Sequence, residues 1–221
     1  LRHHHHKYRV ESVRVVWSEP SPPPDVTTNP ELFDHPRPVR IQRYPTTSIN
    51  NRFIPPSDLS TEAVFVVDDD VSVPCEHLLA AFGTWRRHPD TLVGFFPRSH
   101  SHDEHPNHQQ LRGQQQEVEE DGGGGVWEYL YFWRVLWTME YSIVLTKAAF
   151  VHSKYLELYS GVSRDGGGGS GDVAGGGGAL GEPKWGEGMV EAMAKTRAYV
   201  DSHRNCEDIA MQMVRPSTSN A

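Results

Sequence analysis

Cysteine is nearly absent: Cys75 and Cys206 are the only two in 221 residues. That count excludes the dense disulfide framework of a small secreted scaffold, leaves one bridge open, and leaves the redox compartment undecided. A basic excess is missing too. Lys and Arg number 21 against 29 Asp and Glu, for a net charge of −8, so no face exists to neutralise a nucleic-acid backbone. Nucleic acid is therefore not an expected partner, and an anionic ligand needs a bridging cation or a local basic pocket. Long hydrophobic runs are also lacking. No stretch approaches the roughly 20 apolar residues of a membrane span, and no apolar segment of signal-peptide type follows the first residues. A soluble chain is expected, with any membrane anchor lying outside it. The run His3 to His6 sits beside Arg2 and Lys7 and reads as a solvated tail rather than a ligand cluster.

The length suits one sizeable domain and is short for two. "VESVRVVWS" (Val10 to Ser18) alternates apolar and polar residues as a strand does, and prolines end it. "VRIQR" (Val39 to Arg43) is a second short strand, and "AVFVV" (Ala63 to Val67) is a continuous run suited to a central parallel strand. Leu78, Phe82 and Trp85 then fall at helical spacing behind Pro74, and "TLVGFFP" (Thr91 to Pro97) forms the next strand. Strand, helix, strand in this order predicts an α/β fold with a parallel sheet. The aromatic-rich stretch Val126 to Tyr159 reads as part of the core: strand, a second strand at Tyr141 to Leu145, then a helix from Lys147. Met189 to Val200 and the segment opening at Asn205 read as helices. Residues 99–125 and 161–188, rich in Gly, Gln, His and Glu, read as disordered insertions.

Three acids, Asp68, Asp69 and Asp70, end the apolar strand at Val67. Their mutual repulsion disfavours the fold unless a cation sits among them or water reaches them. In an extended chain Asp68 and Asp70 share one side, so a D-x-D pair converges on one ligand. Hard oxygen ligands suit Mg or Mn, which keep positions open for phosphate oxygens. The plainer reading makes the triplet a turn and a helix cap. A phosphatase of the haloacid dehalogenase type also carries D-x-D after a strand, but expects Thr or Val where Ser72 stands. A second acidic pair, Glu207 and Asp208, follows Asn205. Alone it suits a helix start, with Asn205 as cap. Beside a D-x-D, it also suits the carboxylate that an oxocarbenium-like transition state needs.

The stretches "RVESVRVVWSEPSPP", "SINNRF", "AVFVVDDDVSVPC", "AFGTWRRHPDTLVGFFPR", "YSIVLTKAAFVHSKYLELY" and "SHRNCEDIAM" together resemble glycosyltransferase family 64, the exostosin-like domain, and in particular its plant branch. The resemblance spans most of the chain outside the two Gly-rich stretches. It implies a GT-A type sandwich of α/β class with a mainly parallel central sheet, and a nucleotide-sugar donor such as a UDP-sugar. It further implies Mn2+ (or Mg2+) dependence, transfer with retention of configuration, and residence in the Golgi lumen. By the same resemblance Asp70 is the metal ligand, Asp68 and Asp69 serve the nucleotide and metal shell, and Asn51 and Arg52 line the donor site. Asp208 is the carboxylate beside the reacting sugar carbon, with Glu207 next to it. The acceptor is implied to be a glycan or a sphingolipid of the inositol phosphorylceramide type.

Family members carry a strand and helix ahead of the segment matching "KYRVESV" and continue beyond "CEDIAM" through an Arg and a Cys. The chain is thus expected to be an internal piece of one glycosyltransferase domain. Cys206 is implied to pair with that cysteine outside the chain. Cys75, following a buried strand and opening a helix, is expected to pack as a small apolar group, leaving Cys206 the more reactive thiol. A non-catalytic, binding-only or inert chain is the alternative from another functional class.

Overall fold

The computed structural model describes residues 10–103, 126–130, 132–162 and 186–214. β1 (Val13–Trp17) and β2 (Val39–Arg43) pair in parallel as a two-stranded sheet. β3 (Ala63–Val67) leads through the acidic turn into α1 (Cys75–Arg87) and then β4 (Val93–Gly94). β5 (Pro97–Asp103), β6 (Val126–Leu130) and α2 (Phe132–Thr138) follow. Next come β7 (Ile143–Val144), β8 (Ala148–His152), α3 (Ser153–Ser160), α4 (Glu187–His203) and α5 (Glu207–Met213).

The mixed α/β class stands, but the sheets are mostly antiparallel. β3 and β4 run the same way, as a strand–helix–strand unit requires, yet β8 is inserted between them and pairs antiparallel with both. A third sheet, ordered β6, β5, β7, is antiparallel throughout. The difference starts at "KAAFVH", which was expected to open a helix. Ala148, Ala149, Phe150 and Val151 are all buried, and a short continuous apolar run cannot be told from a helix by periodicity. Here it becomes the central strand, and the helix begins only at Ser153. His152 caps that helix, its Nδ1 accepting from the Lys154 amide.

β8 is covered on both faces because successive side chains alternate. Phe150, level with Phe65 across the ladder, meets Phe65 at 4.7 Å and Phe82 of α1 at 5.5 Å between ring centroids. Val151 turns the other way and joins Val66, Phe53, Tyr155, Leu156, Tyr159, Met193, Val200 and Met211 in the main core. Tyr159 is fully buried, lies edge-on to Phe53, and donates its hydroxyl hydrogen to Asn50. Burial pushes that phenol well above its ordinary range.

Two glycines are dictated by geometry. At Gly94 a Cβ would stand 2.6 Å from the Ala148 carbonyl oxygen, closer than a side chain tolerates. Gly161 ends α3 with φ +73°, and its amide closes onto the Glu157 carbonyl.

Other expectations are corrected. The strand foreseen from Thr91 to Pro97 is two strands, because the chain leaves β8 after Gly94 and pairs with β7 from Pro97. The second strand foreseen over Tyr141 to Leu145 shrinks to Ile143–Val144, and α2 precedes it. Trp133 and Trp137, one turn apart on α2, are 72% and 87% exposed, so this aromatic segment is not wholly core. The stretch 99–125 opens with ordered β5, and α4 begins at Glu187; the rest of both proposed insertions lies outside the described residues, as does His3 to His6. No described helix is long and apolar enough to cross a membrane. Both cysteines are free, and their expected environments are reversed. Cys75 is exposed, with Glu76 and His77, at the start of α1. Cys206 is partly buried, and burial followed by the charges of Glu207 and Asp208 pushes its thiol up.

Candidate active site

The acidic triplet leaves β3 as a turn rather than as extended chain: the Val71 amide donates to the Asp68 carbonyl at 3.2 Å. Each end of the triplet finds its own cation. Asp68 pairs with Arg52. Asp70 accepts from Lys147 Nζ at 2.9 Å, and that ammonium holds its carboxyl below the usual range. Asp69 is exposed. Two cations between three carboxylates are how this strand end tolerates its charge.

Arg52 is delivered by a short 3-10 helix, Ile49–Phe53, capped by Ser48, whose Oγ accepts from the Asn50 amide. This helix is bolted down by its asparagines. Asn50 donates to the Arg197 carbonyl at 3.1 Å and to Asp201 at 2.8 Å. Asn51, 4% exposed, donates to Ser18 Oγ at 3.0 Å and to the Thr46 carbonyl at 2.8 Å. Its amide nitrogen is thus spent on holding the loop after β1 against the helix, and the neighbouring Arg52 is the side chain that reaches the acids.

The second acidic pair arrives on α5. Arg204 and Cys206 take left-handed backbone, with φ of 51° and 74°, which reverses the chain sharply between α4 and α5. Asn205 does not cap α5 as expected. Its Oδ1 accepts from the Cys206 amide, and Cys206 occupies the cap position without a side-chain bond. Asp208 does not cap it either. Its Oδ1 accepts from both the amide and the hydroxyl of Thr146 in the turn between β7 and β8. One turn on, Gln212 donates to the Val144 carbonyl at 2.7 Å. The i, i+4 spacing puts both tethers on one face.

These contacts close a ring. Glu207 faces Arg52 at 3.8 Å, Arg52 holds Asp68, and the Asp68 amide donates to the Lys147 carbonyl at 2.9 Å. Lys147 holds Asp70, and the adjacent Thr146 grips Asp208 beside Glu207. Residues some 140 positions apart are therefore neighbours in one site. Burial, then the charge of Asp208, raises the Glu207 carboxyl, opposed by Arg52. Thr146 and Lys147 escaped the sequence reading. The available signal was Lys147 itself, the single Lys, Arg, Asp or Glu between Glu140 and Lys154.

Among the described residues no three His, Cys, Asp or Glu side chains converge as a metal cage. The donor set suits a different mode, in which a hard cation takes one or two protein carboxylates and completes its shell with phosphate oxygens and water. Asp70, 65% exposed and bonded through Oδ2 to the Lys147 ammonium, fits that mode.

The profile of the glycosyl transferase family 64 domain matches residues 1–166. The chain is 32% identical over 221 residues to glycosylinositol phosphorylceramide mannosyl transferase 1 of Arabidopsis thaliana, covering 96% of this chain and 53% of that protein. It is 31% identical over 212 residues to glycosyltransferase family protein 64 C3 of the same plant, covering 93% and 49%. Human exostosin-2 is 29% identical over 202 residues, covering 90% of this chain and 21% of its own length. The chain thus spans about half the length of these two plant relatives. With the profile matched over well more than half of its residues, the chain belongs to glycosyl transferase family 64.

Proposed function

We propose that the protein is a glycosyltransferase moving a sugar from a nucleoside-diphosphate sugar to a glycolipid or glycan acceptor. The observation that carries this reading is the ring joining Asp68 and Asp70 to Glu207 and Asp208 through Arg52 and Lys147. This arrangement supports the reading because it brings carboxylates suited to a diphosphate-bound cation close to a second carboxylate suited to positive charge at a sugar carbon. Family membership and relatives named as glycosyltransferases support it. A GT-A architecture, retention of configuration and a Golgi setting belong to the same reading.

In this mechanism Asp70, with Asp69 beside it, would hold Mn2+ or Mg2+, and such a cation would supply charge neutralisation for the diphosphate leaving group. The chain's own residues do the rest. Lys147, bonded to Asp70 Oδ2 at 2.9 Å, supplies an ammonium beside the triplet that would pair with a phosphate oxygen of the donor. Arg52, oriented by the loop that Asn51 fastens, holds Asp68 in place and presents its remaining donors to the anion. Asp208 presents Oδ2 to the anomeric carbon, where positive charge grows in the transition state. Glu207, its carboxyl raised, offers a nearby proton acceptor for the incoming hydroxyl. The Arabidopsis thaliana relative at 32% identity is named a glycosylinositol phosphorylceramide mannosyl transferase, and the reading assigns a ceramide glycolipid of that kind as acceptor here.

Calorimetry tests the donor half. UDP- and GDP-sugars titrated with and without Mn2+ are expected to bind more tightly with the ion, and Asp70→Asn is expected to abolish the enhancement. Binding indifferent to both would remove the triplet from the site.

A further inference from the structure

We infer that Thr146 is a positioning residue for the transfer step, fixing which oxygen of Asp208 faces the sugar. The inference rests on the role proposed for Asp208. Thr146 is 1% exposed, and both its amide and its hydroxyl converge on one oxygen, Oδ1. No described residue donates to Oδ2. A carboxylate held twice through one oxygen cannot rotate freely about its last bond, so Oδ2 points in one fixed direction without help from substrate. Fixing a reactive group in advance lowers the reorganisation needed in the transition state.

A purely structural role is the competing explanation, in which the contact only docks α5. Gln212 argues against it, because its bond to the Val144 carbonyl clips the same helix face one turn later. α5 therefore stays docked when the threonine hydroxyl is removed, and what changes is the freedom of the Asp208 carboxyl. The same turn carries Lys147, whose carbonyl accepts from Asp68 and whose ammonium holds Asp70. Thr146 thereby sets the distance between the diphosphate end of the site and the carboxylate end.

The test uses the whole protein, with hydrolysis or transfer from UDP-glucose, UDP-N-acetylglucosamine and GDP-mannose as readout. Thr146→Ser keeps the hydroxyl and is expected to hold kcat within about threefold. Thr146→Val keeps the shape without the hydroxyl and is expected to lower kcat about 10- to 100-fold, with donor KM within twofold. Asp208→Asn is measured in parallel. If it loses transfer while Thr146→Val keeps normal kcat and loses only melting temperature, the positioning role is wrong and the reading of Asp208 survives. If Asp208→Asn transfers normally, or the wild type turns over none of the three donors, both fall. Should Thr146→Val not fold, Thr146→Ala, which adds no bulk, is judged by the same split between kcat and KM.

Discussion

Replacing Arg52 by Met removes the cation between the two acidic clusters while keeping most of the side-chain volume. Arg52, Asp68 and Glu207 side chains are 20%, 26% and 16% exposed, intermediate between two known limits. Breaking a fully buried pair costs about 3–5 kcal/mol because one charge is left stranded, whereas an exposed pair is worth about 0–1 kcal/mol. Asp68 and Glu207 are both left without their guanidinium, so the expected loss is about 2 kcal/mol at pH 7. For a chain of this size that lowers Tm by roughly 4–8 °C. The loss depends on pH in a defined direction. After the carboxyl's hydrogen bond to its own backbone, the Arg52 charge draws the raised Glu207 carboxyl back down, so removing Arg52 lifts that carboxyl further. A carboxyl raised in the folded state penalises stability above its folded pKa, and the penalty fades as pH falls through that pKa and is gone below the ordinary carboxylate value. Urea unfolding at pH 7 and pH 4 is therefore expected to show the larger deficit at pH 7. A loss under about 0.5 kcal/mol, or one equal at both pH values, would show that Arg52 does not bridge the clusters.

Two further substitutions probe the same frame. Gly94→Ala pushes a methyl into the Ala148 carbonyl and the Ala149 and Val144 side chains, and is expected to cost about 1–3 kcal/mol in urea unfolding; a neutral result would mean β4 does not lie this close to β8. Glu207→Gln removes the charge that Asp208 and burial oppose. It is expected to stabilise the protein at pH 7 by no more than about 1 kcal/mol, because partial exposure screens the repulsion. The gain shrinks toward pH 4, and a destabilised variant at pH 7 would place Glu207 in a favourable pair instead.

The parts of the fold that were legible are those in which local pattern and burial agree. The β-branched run Ala63 to Val67 became β3, and of the foreseen helical stripe Phe82 and Trp85 meet β8 through Phe150 and His152. Parallel pairing was misjudged because nothing local to β3, α1 and β4 reveals a strand arriving from residues 148–152 to sit between them. That strand was itself hidden, since "AAFV" has no polar alternation to mark it. At the site, both acidic clusters could be named from sequence because clustered carboxylates are conspicuous. What joins them could not. Thr146 acts partly through its backbone amide, and Lys147 partly through its carbonyl, groups that every non-proline residue carries. Cys75 was misplaced because following a buried strand does not make a helix start buried: Pro74, Cys75, Glu76 and His77 are all exposed.

The most direct test of the central claim is Asp208→Asn in the whole protein, with Tm, donor affinity in the presence of Mn2+ and sugar transfer measured on the same sample. The amide keeps an oxygen for Thr146, so Tm is expected to fall by only a few degrees and donor affinity to stay within about threefold. Transfer is expected to drop by several orders of magnitude, because the lost charge acts mainly in the transition state. A folded variant that binds donor and transfers at near wild-type rate would contradict the account and leave Asp208 as a clip between α5 and the turn at Thr146.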